Sequence, residues 1–175
     1  MFKNFIGPDQ ELSQLTYFTS APLNIDNTNR QRALFNANKL LNGEMFELVK
    51  GKYFNHDIKC PLCSQTFNRP TEKRTDVNIA IRMITDCFEN KVDVLSLVTA
   101  DTDLIPPIEY ILDKFPTIKI KIYFPPSHFA YGLYDKVIKG NGKIIKLEEK
   151  VHLFRGSKIP YVVADDNKSY SIPEK

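Results

Sequence analysis

The chain reads as an α/β protein with a mostly parallel sheet and helices on its faces, and three observations predict this. Short β-branched and aromatic runs alternate with stretches of helical periodicity, as parallel strands require because each crossover needs a helix-length connection. Residues 92–98 form a nearly continuous apolar run broken only by Asp93 and Ser96, the pattern of a strand covered on both faces. No internal repeat, low-complexity tract or Gly/Ser linker breaks the 175 residues, so the expectation is one domain, 1–175, with 155–175 as a hairpin-like tail.

The elements follow in order. Leu15-Thr-Tyr-Phe-Thr-Ser20, rich in β-branched and aromatic residues and closed by Ala21-Pro22, predicts a strand. A helix follows, with Ala33, Leu34, Ala37, Leu40 and Leu41 at helical spacing, Asn27 or Thr28 to cap it and Asn42-Gly43 to stop it. Residues 46–54 predict a second strand, and 55–70, without clear periodicity, an excursion loop. Val77, Ala80, Ile81, Ile84, Cys87 and Phe88 form the apolar face of a second helix. After the 92–98 strand, Pro106-Pro107 opens a helix to about Phe115, proline suiting a first turn where no amide partner is lost. Ile118, Ile120, Ile122 and Phe124 alternate with Lys119, Lys121 and Tyr123, a half-exposed strand whose lysines suit a sheet edge. The stretch 159–172 reads as a short hairpin turning at Asp165-Asp166-Asn167.

Hydrophobic residues make up 42% and charged residues 26%, ordinary globular values that argue against a disordered chain. Twenty-four Lys and Arg against 21 Asp and Glu give a net charge of +3 and a pI near 8.6, which permits nucleic-acid binding without demanding it. No stretch approaches the roughly 18 apolar residues of a membrane span, and residues 1–10 lack the apolar core of a signal peptide. The expectation is a soluble, cytoplasmic protein with no membrane partner. Its three cysteines then read as reduced thiols or metal ligands rather than a disulfide framework.

The densest chemical signal is Thr99-Ala-Asp101-Thr-Asp103-Leu104, directly after the apolar strand. Functional groups in an open parallel sheet gather at the carboxyl ends of its strands. Two carboxylates so close repel unless a proton or cation lies between them, and hard oxygen donors select Mg²⁺ or Mn²⁺. Capping of the helix that follows would account for one of the two. Asp76 adds a third, because a helix leading into a strand packs antiparallel to it, which brings the helix start beside the strand end. Elsewhere, Cys60-Pro-Leu-Cys63 has the spacing of half a zinc knuckle. A tetrahedral Zn²⁺ needs two further donors, from His56, Cys87, His128, His152 or a second chain, and reduced thiols in a loop are the default reading. Cys87 reads as inert packing.

Glu72-Lys-Arg-Thr-Asp76-Val-Asn78-Ile-Ala80, followed by Leu95-Ser-Leu-Val-Thr-Ala-Asp101-Thr-Asp103-Leu104, resembles the NYN domain, LabA-like branch, of the PIN-like nuclease superfamily. Weaker similarity covers Tyr17-Phe18-Thr19, the Cys60/Cys63 pair, Pro125/Pro126 and Leu133-Tyr-Asp135. The resemblance implies a Rossmann-like, three-layer α/β/α fold. It also implies a hydrolase that cleaves single-stranded RNA with Mg²⁺ or Mn²⁺ held by Asp76, Asp101 and Asp103. Lys73, Asn78 and Thr99 are its implied supporting positions, and Ala100 and Thr99 stand where the family has glycine and serine. The family's opening strand, ending in an aspartate of a D-x-x-N motif, has no match before Leu15, since Asp9 follows Gly7-Pro8. That absence sets the catalytic reading against a non-catalytic RNA- or protein-binding module on the same fold. From the residues themselves, Lys73, Arg74 and Arg69 are candidates to hold a phosphate backbone, and Phe129 and Tyr131 to stack bases. A homo-oligomer is compatible with the sequence. A third reading is a haloacid-dehalogenase-like phosphatase, with Asp101-Thr-Asp103 as nucleophile motif and Val162-Val-Ala-Asp165-Asp166 as later acidic motif.

Overall fold

The computed structural model describes residues 4–22, 24–140, 142–154, 157 and 159–172. In chain order the elements are β1 (Leu15–Thr19), α1 (Ile25–Asn42), β2 (Phe46–Lys50), β3 (Lys52–Lys59), β4 (Thr66–Lys73), α2 (Thr75–Phe88), β5 (Val94–Val98), α3 (Ile105–Lys114), β6 (Lys119–Phe124), α4 (Tyr131–Lys139), β7 (Lys143–Lys146), α5 (Val151–Phe154), β8 (Val162–Ala164) and β9 (Ser169–Ser171). The chain is mixed α/β. Its contacts group it into two compact units, residues up to 11 with 79–158, and 12–78 with 159–175.

In the unit built on 12–78, β1 and β2 pair in parallel, Tyr17 opposite Leu48. Helix α1 is the crossover between them. Its cap is Asn24, not Asn27 or Thr28. Asn24 stays extended and its side chain accepts the amides of Asp26 and Asn27, whereas the Thr28 hydroxyl bonds back to the Asn24 carbonyl and lies inside the helix. Gly43 ends the helix at φ +55°, a left-handed conformation that favours glycine. The buried stripe of α1 centres on Phe35 and Ala37, with Phe35 against Tyr17 and Phe46, while Leu41 is exposed. The strand expected over 46–54 is two strands broken at Gly51. The loop expected over 55–70 is instead an antiparallel hairpin, β3–β4, with eight residue pairs from Lys52↔Lys73 to Lys59↔Thr66. Most of its side chains are exposed on both faces, so the residues carry no alternating apolar signal. A second hairpin, β8–β9, closes the expected turn at 165–168; residues 155, 156, 158 and 173–175 of the tail lie outside the described set.

The other unit centres on a parallel sheet ordered β5-β6-β7. One face presents Leu95, Leu97, Ile120, Ile122, Phe124 and Ile144 to Met83 and Cys87 of α2, Ile108 and Ile111 of α3, and Leu133 and Val137 of α4. Of the expected apolar face of α2, Ile84 and Cys87 join the core, together with Ile79 and Met83, whereas Val77, Ile81 and Phe88 are exposed. Apolar residues cover more than half the circumference of this helix, and periodicity alone does not choose among them.

Two expectations about the strands are corrected. β6 is the middle strand rather than an edge, and Tyr123 is buried. β5 is bare in part: Ser96 and Val98 are exposed on the face they share with Lys121 and Tyr123. The N-terminal segment lies on that face at Lys121 and Tyr123. Lys121 Nζ donates to Gln10 Oε1 at 2.6 Å, and the Tyr123 hydroxyl donates to the Phe5 carbonyl at 3.3 Å. Phe5 also meets Tyr123 and Phe154 edge-on. Burial pulls the Lys121 pKa down, and the neighbouring cations Lys143 and Lys119 add to it. Among the described residues no helix is long and apolar enough to cross a membrane.

Candidate metal centre

The exit of β5 is built by a sequence of local hydrogen bonds. The Thr99 amide extends the ladder to the Tyr123 carbonyl at 3.2 Å. The Thr99 hydroxyl then accepts the Asp101 amide at 3.0 Å, and Asp101 Oδ1 accepts the Asp103 amide at 2.9 Å. This turns the chain into a short 3₁₀ turn, Thr102–Leu104, pinned by the buried Leu104. Asp101 therefore does cap, as the simpler reading held. A cap uses one lone pair of one oxygen, and a carboxylate has about four. Asp103, held by its amide, leaves its carboxylate at the surface.

Asp76 lies in the first turn of α2, where the positive end of the helix favours a carboxylate. Asp76, Asp101 and Asp103 each offer a carboxylate oxygen within 4.8 Å of the others. The three aspartates expected from the sequence thus come within reach of one another. All three are exposed, and their carboxylate oxygens are hard donors of the kind that bind a metal cation. The triad is able to hold such an ion.

The start of α2 is set by residues in roles the sequence did not assign to them. Glu72 accepts the Ser20 hydroxyl at 2.8 Å and also the Thr75 hydroxyl. Gly51 fits against this group because a Cβ there would meet Thr75 Oγ1, lie 2.6 Å from Ser20 Oγ and 3.1 Å from the Lys73 carbonyl. Arg74 takes φ +80°, and its carbonyl accepts the Asn78 amide at 2.8 Å. The left-handed residue lets β4 turn directly into the helix. A reader of the sequence could find Gly51 as the break in the 46–54 run, but nothing local links it to Ser20 or Thr75.

The supporting candidates are placed unevenly. Lys73 ends β4 and is exposed, and the Arg74 guanidinium lies over the Phe54 ring at 5.5 Å. Arg69 pairs across the hairpin with His56, away from the helix start along β4. Asn78 takes part through its amide, and Thr99 through its hydroxyl. Phe129 and Tyr131 do form an aromatic shelf. Phe129 packs on Phe124, Tyr131 and Tyr134, Lys146 lies over its ring at 5.2 Å, and Tyr131 is 81% exposed. Gly132, next to Tyr131, stands against Ile105 and Thr102, so this shelf adjoins the turn that carries Asp101 and Asp103.

Cys87 is buried, and burial raises its thiol pKa, consistent with packing. Cys60 and Cys63 sit in the β3–β4 turn as free thiols. Among the described residues no third His, Cys, Asp or Glu groups with them, so neither a histidine nor Cys87 completes the alternative zinc site. Asp165 accepts the amides of Asn167 and Lys168 and forms the turn of β8–β9, a structural task where the phosphatase reading needed a catalytic one. The chain matches no family model, no curated protein and no solved structure.

Proposed function

We propose that the chain is a PIN-like, NYN-type (LabA-like) domain that cleaves single-stranded RNA with the help of Mg²⁺ or Mn²⁺. The observation that carries this reading is the convergence of Asp76, Asp101 and Asp103 from the start of α2 and the exit of β5. On this reading the parallel sheet and its helices belong to a Rossmann-like, three-layer arrangement. A bound divalent ion would supply Lewis-acid stabilisation of phosphate charge and a water acidic enough to attack at neutral pH. Asp76, Asp101 and Asp103 would hold it. The Thr99 hydroxyl holds the Asp101 backbone and the Asp103 amide holds its carboxylate, so little rearrangement is needed on binding. Lys73 brings positive charge to the end of β4, next to the α2 start, for the RNA backbone. Phe129 and Tyr131 offer aromatic faces beside the Thr102 turn, and stacking on such faces tolerates any base.

The test is incubation of the purified chain with single-stranded RNA and Mn²⁺, beside Asp101→Asn and Asp103→Asn. Cleavage by the parent that both variants lose supports the proposal, and equal cleavage by all three overturns it. Metal and RNA binding without cleavage identifies the alternative, a non-catalytic RNA-binding module on the same site.

A further inference from the structure

The Cys60–Cys63 turn stands outside the acidic centre, and its geometry is that of a metal-binding knuckle. The Cys60 amide donates to the Gln65 carbonyl at 2.8 Å, and the Ser64 amide returns to the Cys60 carbonyl at 2.9 Å. Ser64 takes φ +58°, which folds the chain back right after the second cysteine. This leaves the backbone amides of Cys63 and Leu62 turned toward the Cys60 sulfur, with the Cys63 thiol also within hydrogen-bonding reach of it.

The turn also has an open approach. It closes the eight-pair β3–β4 hairpin, all of 61–69 is exposed, and Leu62 next to Cys63 is 96% exposed. Two sulfurs two residues apart fill half of a tetrahedral site, and no third ligand from the described residues joins them.

We infer that Cys60 and Cys63 form one half of a Zn²⁺ site that is completed by the same two residues of a second copy of this chain. The hairpin tips of two copies related by a two-fold axis bring four equivalent sulfurs to one ion, and a two-fold contact is self-complementary by construction. A Zn²⁺ ion with four thiolates carries two negative charges, and Lys59, beside each Cys60, offsets them in both copies. The inference is independent of the nuclease reading, since it uses neither the acidic residues nor RNA.

Co²⁺ tests it, because tetrahedral thiolate coordination gives it intense visible and sulfur-to-metal charge-transfer bands that carboxylates do not give. The reduced chain is titrated with Co²⁺ and then Zn²⁺, with mass followed by light scattering. The expected result is thiolate bands saturating at one ion per two chains, a doubling of mass on the same titration, and reversal by EDTA. Cys60→Ser and Cys63→Ser each abolish bands and doubling, and Cys87→Ser keeps both. Circular dichroism of the serine variants should match the parent, as the turn is solvent-exposed. Absence of thiolate bands, saturation at one ion per monomeric chain, or a mass doubling that persists in Cys60→Ser overturns the inference.

Discussion

Asp101 Oδ1 accepts the backbone amide of Asp103 at 2.9 Å, so one candidate ligand orients the backbone of the other. Structure and chemistry are superimposed on a single side chain, and substitutions separate them. Asp101→Asn keeps an acceptor and a good cap, so stability should stay within about 0.5 kcal/mol of the parent. Asp101→Ala removes the cap and should cost about 0.5–2 kcal/mol. Both should weaken Mn²⁺ binding by at least about tenfold, since each removes a charged ligand. Urea titrations and calorimetry on the two variants check this. Equal Mn²⁺ affinity in parent and Asp101→Asn would leave the cap as the whole role of Asp101.

Gly51→Ala should destabilise the β4–α2 junction. The new methyl would collide with Thr75 Oγ1 and lie 2.6 Å from Ser20 Oγ, displacing the hydroxyls that bond Glu72. Overpacking of this kind costs about 1–3 kcal/mol. The urea midpoint of the variant should fall accordingly with little change in slope.

Tyr131→Ala should weaken binding of single-stranded RNA while leaving the thermal midpoint nearly unchanged, because the ring is mostly exposed. Stacking of one base on an aromatic ring is worth about 1–3 kcal/mol, or roughly 5- to 150-fold in affinity. Fluorescence anisotropy with a labelled single strand in EDTA, where no cleavage occurs, gives the comparison.

Cys60 should be alkylated with a pH midpoint below the ordinary thiol range, and Cys87 should resist alkylation until the chain unfolds. Backbone amides of Cys63 and Leu62 favour the Cys60 thiolate, whereas burial disfavours that of Cys87. The sign for stability follows. A thiol whose folded pKa lies below its unfolded value releases its proton on folding, so its contribution grows as pH rises from the folded pKa and is complete above the ordinary value of 9.0. It is lost as pH falls through the folded pKa. Iodoacetamide labelling across pH, read by mass spectrometry at each cysteine, measures both midpoints.

Ile122→Ala should cost about 2–5 kcal/mol, as its side chain is fully buried in the core of β5, β6 and β7 with their helices. Chemical denaturation measures it, and a cost below about 1 kcal/mol would contradict the packing described.

Much of this core was legible because its signals are local. Ile120, Ile122 and Phe124 alternate along β6, Pro106-Pro107 marks the start of α3, and the apolar run before Asp101 marks β5. The acidic triad was legible too, since the spacing of Asp101 and Asp103 and the helix–strand order around Asp76 are written in the sequence. The β3–β4 hairpin was not. Asn55, His56 and Asp57 face solvent and Pro70 interrupts its strand, so neither propensity nor alternation speaks for pairing. The cover over Lys121 and Tyr123 was equally hidden. It comes from Phe5 and Gln10, and no window of neighbouring residues contains both partners.

That last contact sets an order on how the chain can fold. Tyr123 and Phe5 are separated by 118 positions. During synthesis the first residues emerge long before the surface they will rest on has been made, and they must wait, unprotected, while the intervening unit forms. Loop closure over such a span comes late and slowly. A change at Phe5 or Gln10 would therefore be felt far along the chain, at the central strand β6.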